Sequence, residues 1–405
     1  MALEVDYFGS PYIIFNRGAL EKLPSVLDEG DKVAIITDKF LVKAGIADRV
    51  AEVVKKDGHE VLVWDGAQSD PPMSVLNAGA KVLLDYQPQV VIGLGGGSAM
   101  DSAKGAWLLY ERPDLMKTYI GSTIYPGVKL GLHKKAKFIT IPTTAGTGSD
   151  VSWCIVTTDT DLGMKKPLAN YEIVPDVAIL EPTLTLGMPR ELTAAVGMDV
   201  IGHAIDGLVA RWQTDFSEGM CLQALKLALE WLPKVYENPD DIDAREKMQN
   251  AATIAGLGFG NSNTALAHCL AHPIGATFGM HHGKAVSLCL PYSMVFICEE
   301  ETSPNTPDPQ EKLALAARFV GIDAKNSREA VSKLIRKITN LADSLGMPKT
   351  LKEAGISEEK MKEELNMLAY IAKLDPNKAT TPVKAAGHFE DLFMRVWSGD
   401  KRFLD

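Results

Sequence analysis

The feature that most constrains this chain is a change of rhythm near its middle. In the first half, short β-rich runs at residues 33–37, 61–64, 90–93 and 138–141 alternate with helix-like segments at 41–56, 75–86 and 99–109. Strands separated by helices pair in parallel, so the alternation predicts βαβ units around a parallel sheet. After the fourth run, residues 151–158 and 165–170 flank Asp159, Asp161 and Gly163, which predicts a hairpin. Residues 177–180 predict one further short strand. From about Pro189 the β-branched runs give way to helical spacing, at 192–212, 220–236 and 311–319 and through the Lys-, Glu-, Leu- and Ala-rich C-terminal quarter. The expected organisation is an α/β domain over residues 1–186 and an all-helical domain over 187–405. The polar stretch 300–310, with three prolines, reads as a surface loop.

A chain of 405 residues, 46% of them hydrophobic, has material for two such cores. Its net charge of −10 argues against nucleic acid or an anionic membrane as partner, since both need a basic surface. The five cysteines, Cys154, Cys221, Cys269, Cys289 and Cys298, form no CxxC pair, which fits a reducing compartment. The opening MALEVDYFGSPY lacks the apolar run of a signal peptide. No segment is expected to reach the roughly 20 apolar residues of a membrane span, and the apolar run 286–298 is short and holds Pro291. A cytoplasmic protein is the expectation.

The run 90–93 leads into Leu94, Gly95, Gly96, Gly97 and Ser98, and then into a helix start through Asp101 and Lys104. Glycines let backbone approach a phosphate closely, and a helix N-terminus offers free N–H groups and a positive dipole end. Ser98 can cap that helix and donate to a phosphate oxygen. A tight turn with an ordinary capping serine is the plainer alternative, but three consecutive glycines exceed what a turn needs. The spacing is not that of the usual dinucleotide fingerprint, because the last glycine is replaced by Ser98. The acidic residue is also misplaced. It should follow the glycines by about 20 residues, whereas Asp38 precedes them, at the end of the first run. An aspartate there can bind ribose hydroxyls and disfavour a 2′-phosphate, or serve as a strand-end turn residue. A second polar loop, Pro142 to Asp150, carries Thr143, Thr144, Thr147 and Ser149 directly after a buried-looking strand, which favours a ligand role over a linker.

In the second half, Asp199 and His203 are spaced to share one face of an apolar helix. Four of the eight histidines, His268, His272, His281 and His282, fall within fifteen residues among small and apolar neighbours. His268 and His272 again stand i, i+4, and Pro273, Gly275 and Gly279 should interrupt the helix so that His282 folds back. A single histidine in such a setting is more often a satisfied core residue. Two clusters of this kind point to a site of one carboxylate and three imidazoles, suited to Fe²⁺, Zn²⁺ or similar ions.

Taken together, these motifs resemble the iron-containing (group III) alcohol dehydrogenase family. The likeness runs from residues 18–24 through GGGSAMD (95–101), PTTAGTGSD (142–150) and GMDVIGHAID (197–206) to HCLAHPIGATFGMHHG (268–283). It implies a dehydroquinate synthase-like fold: an α/β dinucleotide-binding domain, an all-α metal-binding domain, and a cleft between them. The implied metal ligands are Asp199, His203, His268 and His282, with His281 a neighbour and His272 a substrate-pocket or proton-relay residue. The implied NAD(H) contacts are Gly96, Gly97 and Ser98 at the pyrophosphate, Asp38 at the adenosine ribose, and Thr143, Thr144 and Thr147 along the nucleotide. Lys165 would reach the nicotinamide ribose, Leu184 would pack nearby, and Asp101 belongs to the same cofactor set. Family members often carry Glu where this chain has Asp150. The implied activity is hydride transfer between NAD(H) and a primary or small secondary alcohol, with a divalent metal, iron first and zinc second, polarising the substrate oxygen. A homo-oligomer, in the first instance a dimer, is the expected assembly. Two other readings stand beside this one, a dehydroquinate synthase-like lyase and a non-catalytic NADH sensor. The first needs basic clusters that the apolar metal patches lack, and the second needs no complete metal set.

Overall fold

The computed structural model describes residues 7–117, 128–159 and 164–400. The chain divides between Met188 and Pro189 into two units, and Tyr7 and Phe8 group with the C-terminal one. There the Phe8 ring lies 5.7 Å from that of Phe216.

The N-terminal unit contains β1 (Tyr12–Phe15), β2 (Lys32–Ile36), α1 (Lys39–Lys43), α2 (Ile46–Lys56), β3 (Glu60–Trp64), α3 (Met73–Tyr86), β4 (Val90–Gly95), α4 (Gly97–Glu111), β5 (Lys137–Pro142), β6 (Cys154–Asp159), β7 (Met164–Ala169) and β8 (Val177–Leu180). Six of the strands form one sheet in the order β1-β8-β5-β4-β2-β3, with every pairing parallel. The other two, β6 and β7, make the antiparallel hairpin. Val33 and Ile35 of β2 pack in one layer with Val50 and Val54 of α2. Ala34 and Ile36 pack in the other with Leu76 of α3 and Trp107 of α4. Strands covered on both faces have no polar side to display, which is why they read as unbroken apolar runs.

The strand order decides where a ligand can lie. From β2 the chain moves outward to β3, then returns past β2 to β4 and continues to β5 and β8, so the winding reverses between β2 and β4. Parallel sheets bind ligands outside the carboxyl ends of the strands at such a reversal. Pairing aligns Ile36 with Gly93 and Gly95 with Pro142. The residues following β2, β4 and β5 therefore leave the sheet side by side.

Several expectations are corrected. The strand β1 was not expected: only Ile14 is buried in it, so the four residues show little pattern. The single helix expected at 41–56 is two, parted at Gly45 with φ +74°. The helix expected from residue 99 starts at Gly97, and its N-cap is Gly96, with no side-chain cap. Ser98 therefore lies inside the first turn, and its hydroxyl accepts from the Asp70 amide at 3.3 Å.

The C-terminal unit is helical: α5 (Arg190–Val209), α6 (Asp215–Glu237), α7 (Ile242–Gly260), α8 (Leu266–Phe278), α9 (His282–Glu299), α10 (Pro309–Phe319), α11 (Ser327–Ser344), α12 (Glu358–Leu374), α13 (Asn377–Thr380) and α14 (Phe389–Ser398). Local chemistry starts these helices. Thr214 and Ser217 cap α6 reciprocally, and Asp241, Asp308, Asn326 and Ser357 each accept from an amide in the first turn of α7, α10, α11 and α12. Pro273 and Gly275 do not interrupt α8, contrary to expectation. The helix runs on to Phe278 and ends at Gly279, φ +63°. A mid-helix proline costs about 3 kcal/mol, and burial of the apolar Leu266–Ile274 face offsets it. The expectation that no segment approaches a membrane span is also corrected. Helix α5 is long and apolar enough by length and composition, and 94% of its apolar window is buried inside the protein.

Candidate metal centre and nucleotide edge

Asp199, His203 and Asp206 stand at i, i+4 and i+7 on α5, on one face, and all three are buried. His268 and His272 lie one turn apart on α8, and His282 opens α9 with His281 as its N-cap. One donor atom from each of Asp199, His203, His268 and His282 lies within 4.8 Å of the others. His282 Nε2 is 3.5 Å, and His268 Nε2 3.8 Å, from Asp199 Oδ1. Donors held about 2.1 Å from a common ion in a tetrahedral array stand roughly 3.4 Å apart, so the set has the dimensions for one divalent ion.

The tautomer of a neutral His268 follows from its surroundings. Its Nδ1 donates to Asp206 Oδ2 at 2.8 Å. The same carboxylate accepts the amides of His268 at 3.0 Å and Ala267 at 3.3 Å. The lone pair is thereby left on Nε2, which is buried and makes no hydrogen bond. A buried acceptor without a donor costs about 1–3 kcal/mol, and a cation removes that cost. A carboxylate behind a ligating histidine is also how metal sites fix ring orientation. The residues present fit a divalent metal.

Two glycines allow the helices to meet. A Cβ on Gly283 would lie 2.1 Å from the Ala195 carbonyl oxygen, and one on Gly202 would lie 2.2 Å from Val286 Cγ1. Only with glycine there can the start of α9 reach α5 and set His282 beside Asp199. The His203 ring is held between Phe259 and His268, with centroids 4.2 Å and 4.6 Å away. The side chains of Asp199 and His268 are 3% exposed, whereas that of His282 is 29% and that of His272 is 21% exposed. The cluster is thus closed on the α5 side and accessible at His282. The His272 ring stacks on His282, centroids 5.4 Å apart and 23° from coplanar.

In the N-terminal unit, Asp38 follows β2 and its Oδ1 accepts the Leu41 amide at 3.0 Å, capping α1. Its Oδ2 would be 3.9 Å from a Cβ on Gly95, so the carboxylate flanks the glycine turn. A Cβ on Gly96 would come within 3.2 Å of Thr144 Cγ2, and one on Gly97 within 2.7 Å of Thr147 Cγ2. The amide of buried Thr143 donates to the Gly95 carbonyl at 3.0 Å. The structure therefore brings together Asp38, the glycine turn and Thr143, Thr144 and Thr147. Asp101 faces the same loop from beneath. Its Oδ1 accepts the Ser149 hydroxyl at 2.7 Å, and its Oδ2 accepts the Val156 amide at 3.0 Å. Lys104 Nζ donates to the carbonyls of Ser152 at 2.8 Å and Cys154 at 3.2 Å. Burial lowers the pKa of this lysine, with nearby Asp101 opposing. Leu184 follows β8 and is packed into the apolar core. Lys165 lies on β7, and its side chain is outside the described residues.

Sequence reasoning gave Asp206, Asp375, Gly283 and Lys104 no structural role of their own. Only Asp206 carried a signal, its i+3 spacing from His203 on an apolar helix; the others depend on contacts from distant segments.

The description of iron-containing alcohol dehydrogenase matches residues 10–182, and that of the C-terminal domain of the Fe-containing alcohol dehydrogenase family matches residues 193–388. The bifunctional aldehyde-alcohol dehydrogenase AdhE of Escherichia coli (strain K12) is 37% identical over 89% of this chain, which spans only 42% of that relative's length. The NADPH-dependent butanol dehydrogenase of Clostridium saccharobutylicum is 34% identical, over 91% of this chain and 92% of the relative. The solved alcohol dehydrogenase from Oenococcus oeni superposes with a TM-score of 0.88 at 27% identity, covering 96% of this chain and all of the other. With matching models over both halves and a relative aligned along nearly its whole length, this chain belongs to the iron-containing alcohol dehydrogenase family.

Proposed function

We propose that the chain is a metal-dependent alcohol dehydrogenase that interconverts primary or small secondary alcohols and their aldehydes or ketones with NAD(H). The observation that carries the reading is the four-donor cluster in which Asp206 fixes the His268 lone pair toward Asp199. One carboxylate and three imidazoles suit Fe²⁺ first, with Zn²⁺ the other candidate. When bound, the metal supplies a Lewis acid for the substrate oxygen and the nicotinamide supplies the hydride acceptor or donor.

The protein's own residues orient and protect. The free amides at the start of α4 and the side-chain-free Gly96 and Gly97 receive the pyrophosphate, with Ser98 beside them. Asp38 accepts from the adenosine ribose and repels a 2′-phosphate, favouring NAD(H). The Clostridium saccharobutylicum relative is named for NADPH, so coenzyme choice is a specific property to test. Thr143, Thr144 and Thr147 line the nucleotide, and Asp101 and Lys104 hold that loop from below. Lys165 serves the nicotinamide ribose, and Leu184 packs nearby from within the apolar core. His272, beside the accessible ligand His282, accepts the alcohol proton at Nε2 and passes it to solvent. A homodimer in the cytoplasm completes the proposal, checked by light scattering and fractionation.

The test is aldehyde-dependent NADH oxidation by chelator-treated protein, before and after anaerobic reloading with Fe²⁺. Activity lost and regained supports the reading. Fully loaded protein inactive toward short, long and aromatic aldehydes refutes it.

A further inference from the structure

His272 Nδ1 stands 2.7 Å from Asp375 Oδ2, a contact across 103 residues of sequence. Asp375 is the residue after α12, and its side chain is 7% exposed. A carboxylate at a helix C-terminus opposes the helix dipole and gains nothing from it. Its other oxygen, Oδ1, accepts the Asn377 amide at 2.8 Å and so shapes the turn into α13. That turn needs one acceptor, which a neutral asparagine supplies equally well. Among the described residues, the second oxygen meets only the imidazole. Because a carboxylate only accepts, it fixes the proton of neutral His272 on Nδ1 and leaves the lone pair on Nε2. The ring is also held in orientation: Asp375 from one edge, and the face of His282 5.4 Å away.

We propose that Asp375 is a positioning residue for proton transfer at His272. It keeps the Nε2 lone pair available and the ring fixed beside the accessible edge of the metal cluster. This rests on the alcohol dehydrogenase reading. In the net reaction an alcohol and NAD⁺ give a carbonyl compound, NADH and one proton. The hydride carries both electrons to the nicotinamide. The hydroxyl proton goes to His272 Nε2 and then to solvent. The arrangement parallels Asp206 behind His268, but serves a histidine that is not one of the four clustered donors.

The test compares the parent protein with Asp375→Asn and Asp375→Glu, each loaded with Zn²⁺ for ¹⁵N-histidine spectra and with Fe²⁺ for kinetics. The parent should show the His272 signal as the Nδ1–H tautomer, identified by its loss in His272→Ala. In Asp375→Asn that preference should disappear. Metal content and thermal midpoint should hold, KM should stay constant, and kcat should fall roughly ten- to a hundredfold, by analogy with loss of the carboxylate behind a metal-ligating histidine. Asp375→Glu should recover part of kcat. An unchanged tautomer or unchanged kcat in Asp375→Asn overturns the proposal. So does a fall in kcat matched by lost metal or a lowered thermal midpoint. If the parent has no alcohol dehydrogenase activity, the functional reading fails, and the tautomer spectra still decide whether Asp375 sets the state of His272.

Discussion

The helical unit builds its site from side chains, and the sheet edge of the α/β unit builds its own from their absence. Around Asp199, three helices contribute one carboxylate and three imidazoles, and a further carboxylate, Asp206, fixes one of those rings. At the end of β4, Gly95, Gly96 and Gly97 leave room that a single methyl would fill against Ala99, Thr144 or Thr147. The first kind of site fails when a functional group is lost. The second fails when an atom is added.

The sharpest break is His268→Ala. Losing a ligand removes Lewis-acid stabilisation worth several kcal/mol, so kcat/KM should fall by at least about a thousandfold, with metal content dropping while NAD⁺ binding stays. Full metal occupancy and full activity in that variant would put the chemistry elsewhere. Next is Asp206→Asn, which keeps the volume but frees the His268 tautomer. Metal affinity should weaken about ten- to a hundredfold, measured by competition with a chromophoric chelator. Gly97→Ala addresses the other unit. Its methyl would press on Thr147 at 2.7 Å, and an overpacking cost of about 1–3 kcal/mol corresponds to at least roughly fivefold weaker NAD⁺ binding. Metal content should not change. A variant that loses metal instead would erase the distinction between the two sites.

The smallest expected effect tests the α/β unit away from either site. His133 places Nδ1 3.0 Å from Asp176 Oδ2 and Nε2 2.7 Å from the Glu172 carbonyl. Burial acts against the imidazolium, but the Asp176 hydrogen bond and charge, with the Glu172 carbonyl, outweigh it and raise the pKa above the usual 6.5. A raised folded-state pKa gives stability that is complete below 6.5 and is lost as pH climbs through the folded value. The urea midpoint of the parent should therefore fall relative to that of His133→Asn between pH 6 and pH 9. Parallel midpoints across that window would remove His133 from the account.

The same contrast explains what could be read from sequence. Asp199, His203, His268 and His282 announce themselves, because charged and imidazole groups on apolar helices need a partner. The inner parallel strands also announce themselves, being apolar on both faces, whereas β1, with only Ile14 buried, does not. What stayed hidden depends on distant segments meeting. Nothing in the sequence says that Asp375 reaches His272, that Gly283 stands against the Ala195 carbonyl, or that Lys104 spans to Ser152 and Cys154. The error at Pro273 has the same origin. The local penalty was legible, and the burial of α8 that offsets it was not. Asp38 needed the strand order, since its place beside the glycine turn follows from β2 and β4 being neighbours.

Helix α5 carries a consequence for the nascent chain. Its twenty residues are apolar enough to pass for a bilayer segment by length and composition. Asp199 sits at its middle and Asp206 in its last turn, and an aspartate at a helix centre raises the cost of insertion by about 2.5–3.5 kcal/mol. The carboxylate of the four-donor cluster and the one behind it, Asp199 above all, thus also weigh against membrane insertion of the emerging helix. Replacing both with leucine would remove the site and, at the same stroke, relabel the helix for the membrane.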